Sequence, residues 1–337
     1  MTDDLISRHA AFWQREEVDR PLLLEGRAQP CWVSVKGMYR RRDGVEIGPD
    51  EADAQRYISA VRWSDAWTPD EGDLFVVLPP NPRIPWLEAI AGARVVPQLG
   101  SDSVWSGEPA RSLEGRREVE VNQAWLDALL AQVERLPSMT LRDVPITQTV
   151  LRGPGDVLEG LLGAEAFLLA LKDDADWIGP LIESVTDLFI EVARLQWERI
   201  RLWQGGYVNF YGFWSPQPCV RVQEDVQRVM SAELFREWLR PALHRVVAAF
   251  PYSMFHMHSG SLHLLEQVVS VPGLGGLQVS VDKPPYARPV GEQLSALRAA
   301  HERVPLFIEG PMSDEDYAAL LDGLPPSGLA IHREPAS

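Results

Sequence analysis

The stretch PYSMFHMHSGS, residues 251–261, holds the side chains best suited to chemistry. In an extended strand successive side chains alternate between faces, so His256 and His258 share one face while Phe255 and Met257 take the other. A solitary strand histidine is most often a packed or surface group, and His9, His244, His263, His301 and His332 are read that way. Two imidazoles at i and i+2 on one rigid element are different, because they converge on a metal ion with little loss of entropy. The same alternation puts Gln278, Ser280 and Asp282 on one face of LGGLQVSVD, and Phe307 with Glu309 on one face of PLFIEG. The last inward polar group of each strand is then His258, Asp282 or Glu309. Asp225, Asp282 and His256 are the candidates for moving protons, a task histidine performs near neutrality without special tuning.

These side chains need a scaffold in which strands end at one place. Helix-like runs at 262–269, 290–304 and 314–321 alternate with the strands through short Gly, Pro and Asp loops, which is the pattern of parallel βα units. Ionisable groups at the C-terminal ends of such strands mark the active rim of an α/β protein of the (β/α)8 TIM barrel class. The 337 residues fit one such domain. Within it we expect an N-terminal helix in 1–20, an irregular Trp-rich region over one mouth in 29–137, and regular βα units in 138–335. Large aromatics supply buried area where regular structure is sparse, and Trp86 and Trp105 are the two most suited to a pocket wall.

Along the chain, DLFVVLPP reads as a strand, PWLEAIAG as a short helix, and VNQAWLDALLAQVERL as a long one. VPITQTVLRGPGDVL reads as a strand and a Gly-rich turn into a helix, with Gln148 and Arg152 inward. Backbone N–H groups at such a turn favour an anion, and Arg152 beside it adds a fork for carboxylate or phosphate. The apolar-periodic stretch 164–203 is one or two helices, with a break expected at Pro180. Two short strands follow in GGYVNFYGFWSPQPCVRVQED, where alternation groups Asn209 with Tyr211, and Arg221 with Gln223 and Asp225. Arg152, Asn209, Tyr211, Arg221, Gln223 and Trp105 are therefore the candidate substrate contacts.

Composition removes several function classes. Lys plus Arg 32 against Asp plus Glu 48 leaves a net charge of −16, a field that repels phosphate backbones and acidic membranes, so neither nucleic acid nor membrane is an expected partner. No run of 18 apolar residues and no signal-peptide pattern occurs. Two cysteines, Cys31 and Cys219, make neither a disulfide framework nor a thiolate zinc cluster, and a reducing cytoplasm is expected. No nucleophile elbow, phosphate-binding loop or His-Glu-x-x-His pattern is present.

The segments VLRGPGDVL, DDADWIGPLIESVTDLFIEVARLQ, QEDVQRVMSAELFREWLRPALHRV, FHMHSG and GLQVSVD, with weaker echoes in FWQREEVDRP and PWLEAIAGARV, resemble the uroporphyrinogen decarboxylase superfamily, which includes corrinoid-linked methyltransferases. The resemblance runs from about Ile146 to the C-terminus and implies a (β/α)8 barrel. The decarboxylases of this superfamily hold substrate carboxylates with an Arg-Gln-Ala-Gly-Arg segment after the first strand, where this chain has LLEGRAQPCW and retains only Arg27. The methyltransferases bind zinc through His-x-Cys and a later Cys. Here His256 matches the histidine, His258 stands for the first cysteine, and Glu309 falls near the second, so the resemblance implies a metal on His256, His258 and Glu309. Such a harder ligand set suits zinc, and also Fe(II) or Mn(II). The expected function is a metal-dependent methyltransferase acting on a small molecule, with a corrinoid or thiol co-substrate and with a homodimer or a corrinoid protein as partner. The alternatives are a metal-independent decarboxylase or lyase of a small carboxylic acid, and a barrel that binds a small ligand without turning it over.

Overall fold

In the computed structural model, residues 2–26, 34–35, 45–62, 72–98, 104–109, 112–140, 143–282 and 288–335 are described. Arg27, Cys31, Trp32, Trp63 and Trp67 lie outside them. Six strands form the main sheet, and we number them along the chain: β1 Leu22–Glu25, β2 Cys219–Gln223, β3 Tyr252–His258, β4 Leu277–Ser280, β5 Leu306–Met312 and β6 Leu329–Pro335. Their order is β1-β6-β5-β4-β3-β2, and every pairing is parallel. Parallel strands need crossovers, supplied here by helices such as Arg240–Ala248, Val290–His301 and Asp314–Gly323.

Alternation sorts the strand residues into two cores. Phe255, Met257, Leu277, Val279, Leu306 and Ile308 belong to the large core between sheet and helices, while Met254, Phe307, Ala330, Leu22 and Leu24 join a second core on the sheet's other face. The parallel register lines up Gln223, His256, Gln278 and Phe307 across four strands, with His258, Ser280, Glu309 and His332 one step further along. That second, polar row lies at the C-terminal ends of β3 and β4.

The opposite end is closed by the helix Thr2–Gln14. Its indole Trp13 donates to the Trp214 carbonyl at 2.8 Å, and Trp13 stands edge-on to Phe213 and Tyr252. His9 accepts from the Trp214 N–H at 2.8 Å and, as its remaining N–H, donates to the Asp73 carbonyl at 2.6 Å. Burial holds this imidazole neutral, with its pKa lowered to about 4.

The ladder stops at β1 and β2. Beyond them the chain makes single links, Asp73 N–H to Leu23 O at 2.7 Å, Leu78 N–H to Pro145 O at 3.0 Å and Gly153 N–H to Gln223 O at 2.6 Å. The strands expected in DLFVVLPP and VPITQTV are therefore corrected: each contributes an isolated bridge residue, Leu78 paired with Ile146, and the sheet is open. Pro79 and Pro80 offer no N–H to a ladder, which accounts for one of the two breaks. The helix break expected near DDADWIGP falls within that segment, at Asp174, between Ala164–Asp173 and Ala175–Arg199, but Pro180 is not its cause. Pro180 is carried inside the second helix, whose stripe Ile178, Leu181, Ile182, Val185, Phe189 and Val192 is fully packed. The Trp-rich region contains an unforeseen hairpin, Ala93–Pro97 with Val104–Pro109.

Asp73 ties the closing helix to β1. Arg8 and Arg20 each donate to its carboxylate at 2.5 Å, and the Leu23 N–H adds a bond at 2.9 Å. Burial would raise its pKa, but Arg20, the Leu23 N–H and Arg8 outweigh burial and hold it low. A depressed carboxylate stabilises the fold above its ordinary value of 3.8, and that contribution is lost as pH falls through the folded value. Asp73→Asn should cost about 2 kcal/mol at neutral pH by urea denaturation, allowing for the half-exposed Arg20, with the difference shrinking below pH ~3.8.

Candidate functional site

β3 delivers His256 and His258 to the same face, with ring centroids 5.0 Å apart and planes at 84°. β2 runs beside β3 with Gln223 opposite His256, so that Asp225, two residues past the strand end, comes level with the pair. Asp225 Oδ1 lies 3.9 Å from His256 Nε2 and 3.9 Å from His258 Nε2, and the three ligand atoms all fall within 4.8 Å of one another. That oxygen is buried and accepts no hydrogen bond.

The other ring nitrogens are already engaged. His258 Nδ1 is 2.6 Å from Asp282 Oδ1, and Asp282 is itself held by the Gly260 N–H at 2.8 Å and the Ser259 hydroxyl at 3.2 Å. His256 Nδ1 meets Gln278 Oε1. A donor that cannot accept fixes the polarity of this second contact. Arg221 Nε donates to the Tyr211 hydroxyl at 2.8 Å, so Tyr211 gives its own proton to Gln278 Oε1 at 3.1 Å. The Gln278 amide N–H2 points away, to Glu309 Oε1 at 2.9 Å and Ser280 Oγ at 3.1 Å. Facing a carbonyl oxygen, His256 carries its proton on Nδ1 and turns a bare Nε2 toward Asp225. Imidazoles whose second nitrogen is bonded to a carboxylate or carbonyl, with the first left open, are the usual form of histidine metal ligands.

For His256 the electrostatics agrees with that state. Desolvation, reinforced by Arg221, lowers His256 to about 3, so it is neutral at physiological pH. The hydrogen bond to Asp282 raises His258, against its partial burial. Burial would raise Asp225, but the facing imidazoles, the Gln223 amide and Arg152 prevail and keep it low.

A cavity of about 950 Å3 opens above these groups, lined among others by His258, Asp225, Asp282, Arg152, Arg228 and Trp105. Trp105 stands 58% exposed on the hairpin, whose residues 104–107 all line the cavity. Trp86, in contrast, is fully buried, donating to the Asn81 carbonyl at 2.8 Å. Of the other expected contacts, Gln223 bridges Arg221 and the Asp225 carboxylate. Tyr211 and Arg221 lie beneath the floor as parts of the chain that orders His256. Asn209 is fully buried, its side chain accepting from the Tyr211 and Phe213 N–H groups and donating to Cys219, and it does not line the cavity. Glu309 does not join the three converging atoms. It sits buried against the Gln278 amide, 3.6 Å from His332 Nδ1. Asp225 occupies the third position.

The Gly-rich turn does not await an external anion. Glu224 is buried and accepts from the Gly155 and Asp156 N–H groups at 3.3 and 3.1 Å, closing the N-terminus of the helix Pro154–Leu162 with the chain's own carboxyl group, whose pKa burial pushes up to about 8 against the pull of those N–H groups. The glycines are there for this approach: a Cβ on Gly153 would lie 2.2 Å from Glu224 Oε1, and one on Gly155 2.8 Å from Oε2. Reading the sequence alone missed Glu224 and the buried Glu88, neither of which belongs to a motif. The one available signal for Glu224 was its place beside Asp225 at a strand end.

No family model matches the chain, and no curated protein matches it. Among solved structures, a methyltransferase from Methanosarcina mazei is similar at a TM-score of 0.63, with 16% identity over 98% of this chain and 93% of that one. At that identity the likeness is one of fold. The homocysteine methyltransferase MmuM from Escherichia coli, in metallated form, is 10% identical over 94% of this chain and 92% of its own, at a TM-score of 0.33, which is too low to bear on the argument.

Two measurements check this geometry. In 15N NMR, His256 should remain the neutral Nδ1–H tautomer from pH 8 to pH 4, and Tyr211→Phe, which frees Gln278, should admit the Nε2–H form; an unchanged tautomer ratio would refute the ordering chain. Gly153→Ala should lose about 2 kcal/mol in urea denaturation by forcing Glu224 out of the turn, and a neutral effect would contradict the clamp.

Proposed function

We propose that the chain is a metal-dependent transferase of the methyltransferase kind, acting on a small molecule in the cavity at the C-terminal ends of β3 and β4. One observation carries the reading: three ligand atoms converge, on Asp225, His256 and His258, and both imidazoles have their remaining nitrogen tied down. The donor set fits a borderline or hard divalent ion, zinc first and Fe(II) or Mn(II) as alternatives. Asp225, His256 and His258 would hold such an ion, with Asp225 Oδ1 3.9 Å from each histidine Nε2 and all three ligand atoms within 4.8 Å of one another. The fold likeness to the Methanosarcina mazei methyltransferase supports the class. The scaffold is read as a (β/α)8-type barrel of the uroporphyrinogen decarboxylase kind, in which the single links at Leu23, Leu78 and Gly153 stand where two regular strands would close the ring.

A divalent ion bound there would supply Lewis acidity, lowering the pKa of a thiol or water nucleophile. The chain's own residues do the rest. Asp282 and Gln278 keep the two Nε2 lone pairs aimed at one point, which removes the rotational freedom the free imidazoles would have. Gln223 holds the Asp225 carboxylate from behind.

Elemental analysis tests the proposal. Protein purified from metal-replete culture should carry a bound transition metal, His256→Ala/His258→Ala should lose it, and Asp282→Ala should weaken its affinity by about 10–100-fold. Methyl transfer should fall with chelation and return on adding back the metal. Metal content unaffected by the double substitution would sink the reading, and turnover of an acid substrate that survives chelation would favour a metal-independent lyase.

A further inference from the structure

The cavity has a second pole that the metal reading does not use. Glu88, in the short helix Trp86–Ile90, is fully buried, and neither of its oxygens has a hydrogen bond within the normal geometry. Among the described residues its one ion-pair partner is Arg152, whose Nε lies 3.2 Å from Glu88 Oε1. An ionised carboxylate buried without a cation would be prohibitively costly, so this contact is what allows Glu88 to stay where it is. Glu88 in turn is the main cause holding Arg152 charged, against the desolvation that acts on it.

The geometry of the pair matters more than its charge. Arg152 presents its Nε edge to Glu88, while a third of its side chain remains exposed and lines the cavity. A guanidinium is planar and rigid, so anchoring Nε fixes the direction of the remaining Nη1–Nη2 edge. Among the described residues neither Nη atom has a recorded partner. That edge is a two-pronged fork of the spacing that binds a carboxylate bidentately.

We propose that Arg152, positioned by Glu88, is the binding fork for a carboxylate group on the substrate. This rests on the preceding reading only in sharing its cavity and substrate. A singly charged planar anion is preferred over a phosphate because the surrounding charge is nearly balanced. Arg83 and Arg228 also line the cavity, but so do Glu159 and the carboxylates of Asp225 and Asp282, the last two with pKa values lowered by their neighbours. Each extra negative charge on the ligand meets those acids. The volume of about 950 Å3 exceeds the needs of a one-carbon donor and accommodates a carboxylate with a sizeable apolar body beside Trp105.

Calorimetric titration of the metal-loaded protein with 3-phenylpropionate, 3-phenylpropylphosphonate and 3-phenylpropylamine tests the subsite. The carboxylate should bind best of the three, and Arg152→Met should weaken it at least tenfold with metal content unchanged. Glu88→Gln separates positioning from bulk charge: removing a negative charge should tighten anion binding if charge alone counts, whereas loss of the anchor should weaken it severalfold at unchanged metal content. Carboxylate affinity in Arg152→Met within twofold of the wild type, a preference for the phosphonate or the amine, or tighter carboxylate binding in Glu88→Gln would overturn the inference. Absence of metal from the wild-type protein would count against the preceding reading alone, since the same titrations can be read on the metal-free chain.

Discussion

A guanidinium can donate hydrogen bonds but never accept them, and the site's order follows from the position of one. Arg221, nearly buried in β2 and stacked within 5.3 Å of the Phe210 and Tyr211 rings, has its Nε bound to the Tyr211 hydroxyl. From that bond the direction of every proton as far as His256 is settled: tyrosine must give to Gln278, Gln278 must turn its amide to Glu309 and Ser280, and His256 must hold its proton on the inner nitrogen. The edge of the imidazole turned toward Asp225 is then a lone pair. A buried polar row of this kind is costly where it is left unsatisfied, and here Arg221 Nε, Tyr211, Gln278, His256 and Glu309 bond one another in sequence, while Asp225 Oδ1 is left without a donor.

The row exists only because the sheet is parallel and in register. Gln223, His256 and Gln278 face each other across three neighbouring strands, and a slip of one residue in any of them would turn its polar member into the helix-facing core. The apolar alternates Phe255, Met257 and Val279 resist such a slip, since they would be forced into the polar row. The core thus acts on the site through register. At the far end, the helix Thr2–Gln14 packs into the second core, and Asp73 ties that helix to β1 through Arg8 and the Leu23 N–H.

A similar economy appears at the glycine turn after residue 152. A helix N-terminus is a ready anion site, and the sequence invites that reading for Gly153–Gly155. The chain fills it with Glu224, the residue immediately before Asp225, and the clamp thereby fixes where β2 ends. In the proposed carboxylate subsite, anion recognition would move by one residue, to the side chain of Arg152, which pairs with Glu88 on its buried side.

Local sequence was enough for the parts that depend on period and composition. Alternation over seven residues put His256 and His258 on one face, identified Phe255, Met257, Val279, Leu306 and Ile308 as packing residues, and marked the parallel βα units of the C-terminal half. It could not say whether DLFVVLPP and VPITQTV would join a ladder, because pairing depends on a partner's exposed backbone and prolines at the strand end remove donors. Nor could it choose the third member beside the histidines. Glu309 and Asp225 are equally plausible as strand-end acids, one 51 residues after His258 and the other 31 before His256. The choice falls to the register of β2 against β3, which brings Asp225 Oδ1 to 3.9 Å from both Nε2 atoms, and to Gln278, whose amide claims Glu309. Side-chain direction along a strand is a property of the chain itself, whereas which strand ends meet is fixed only when the sheet assembles.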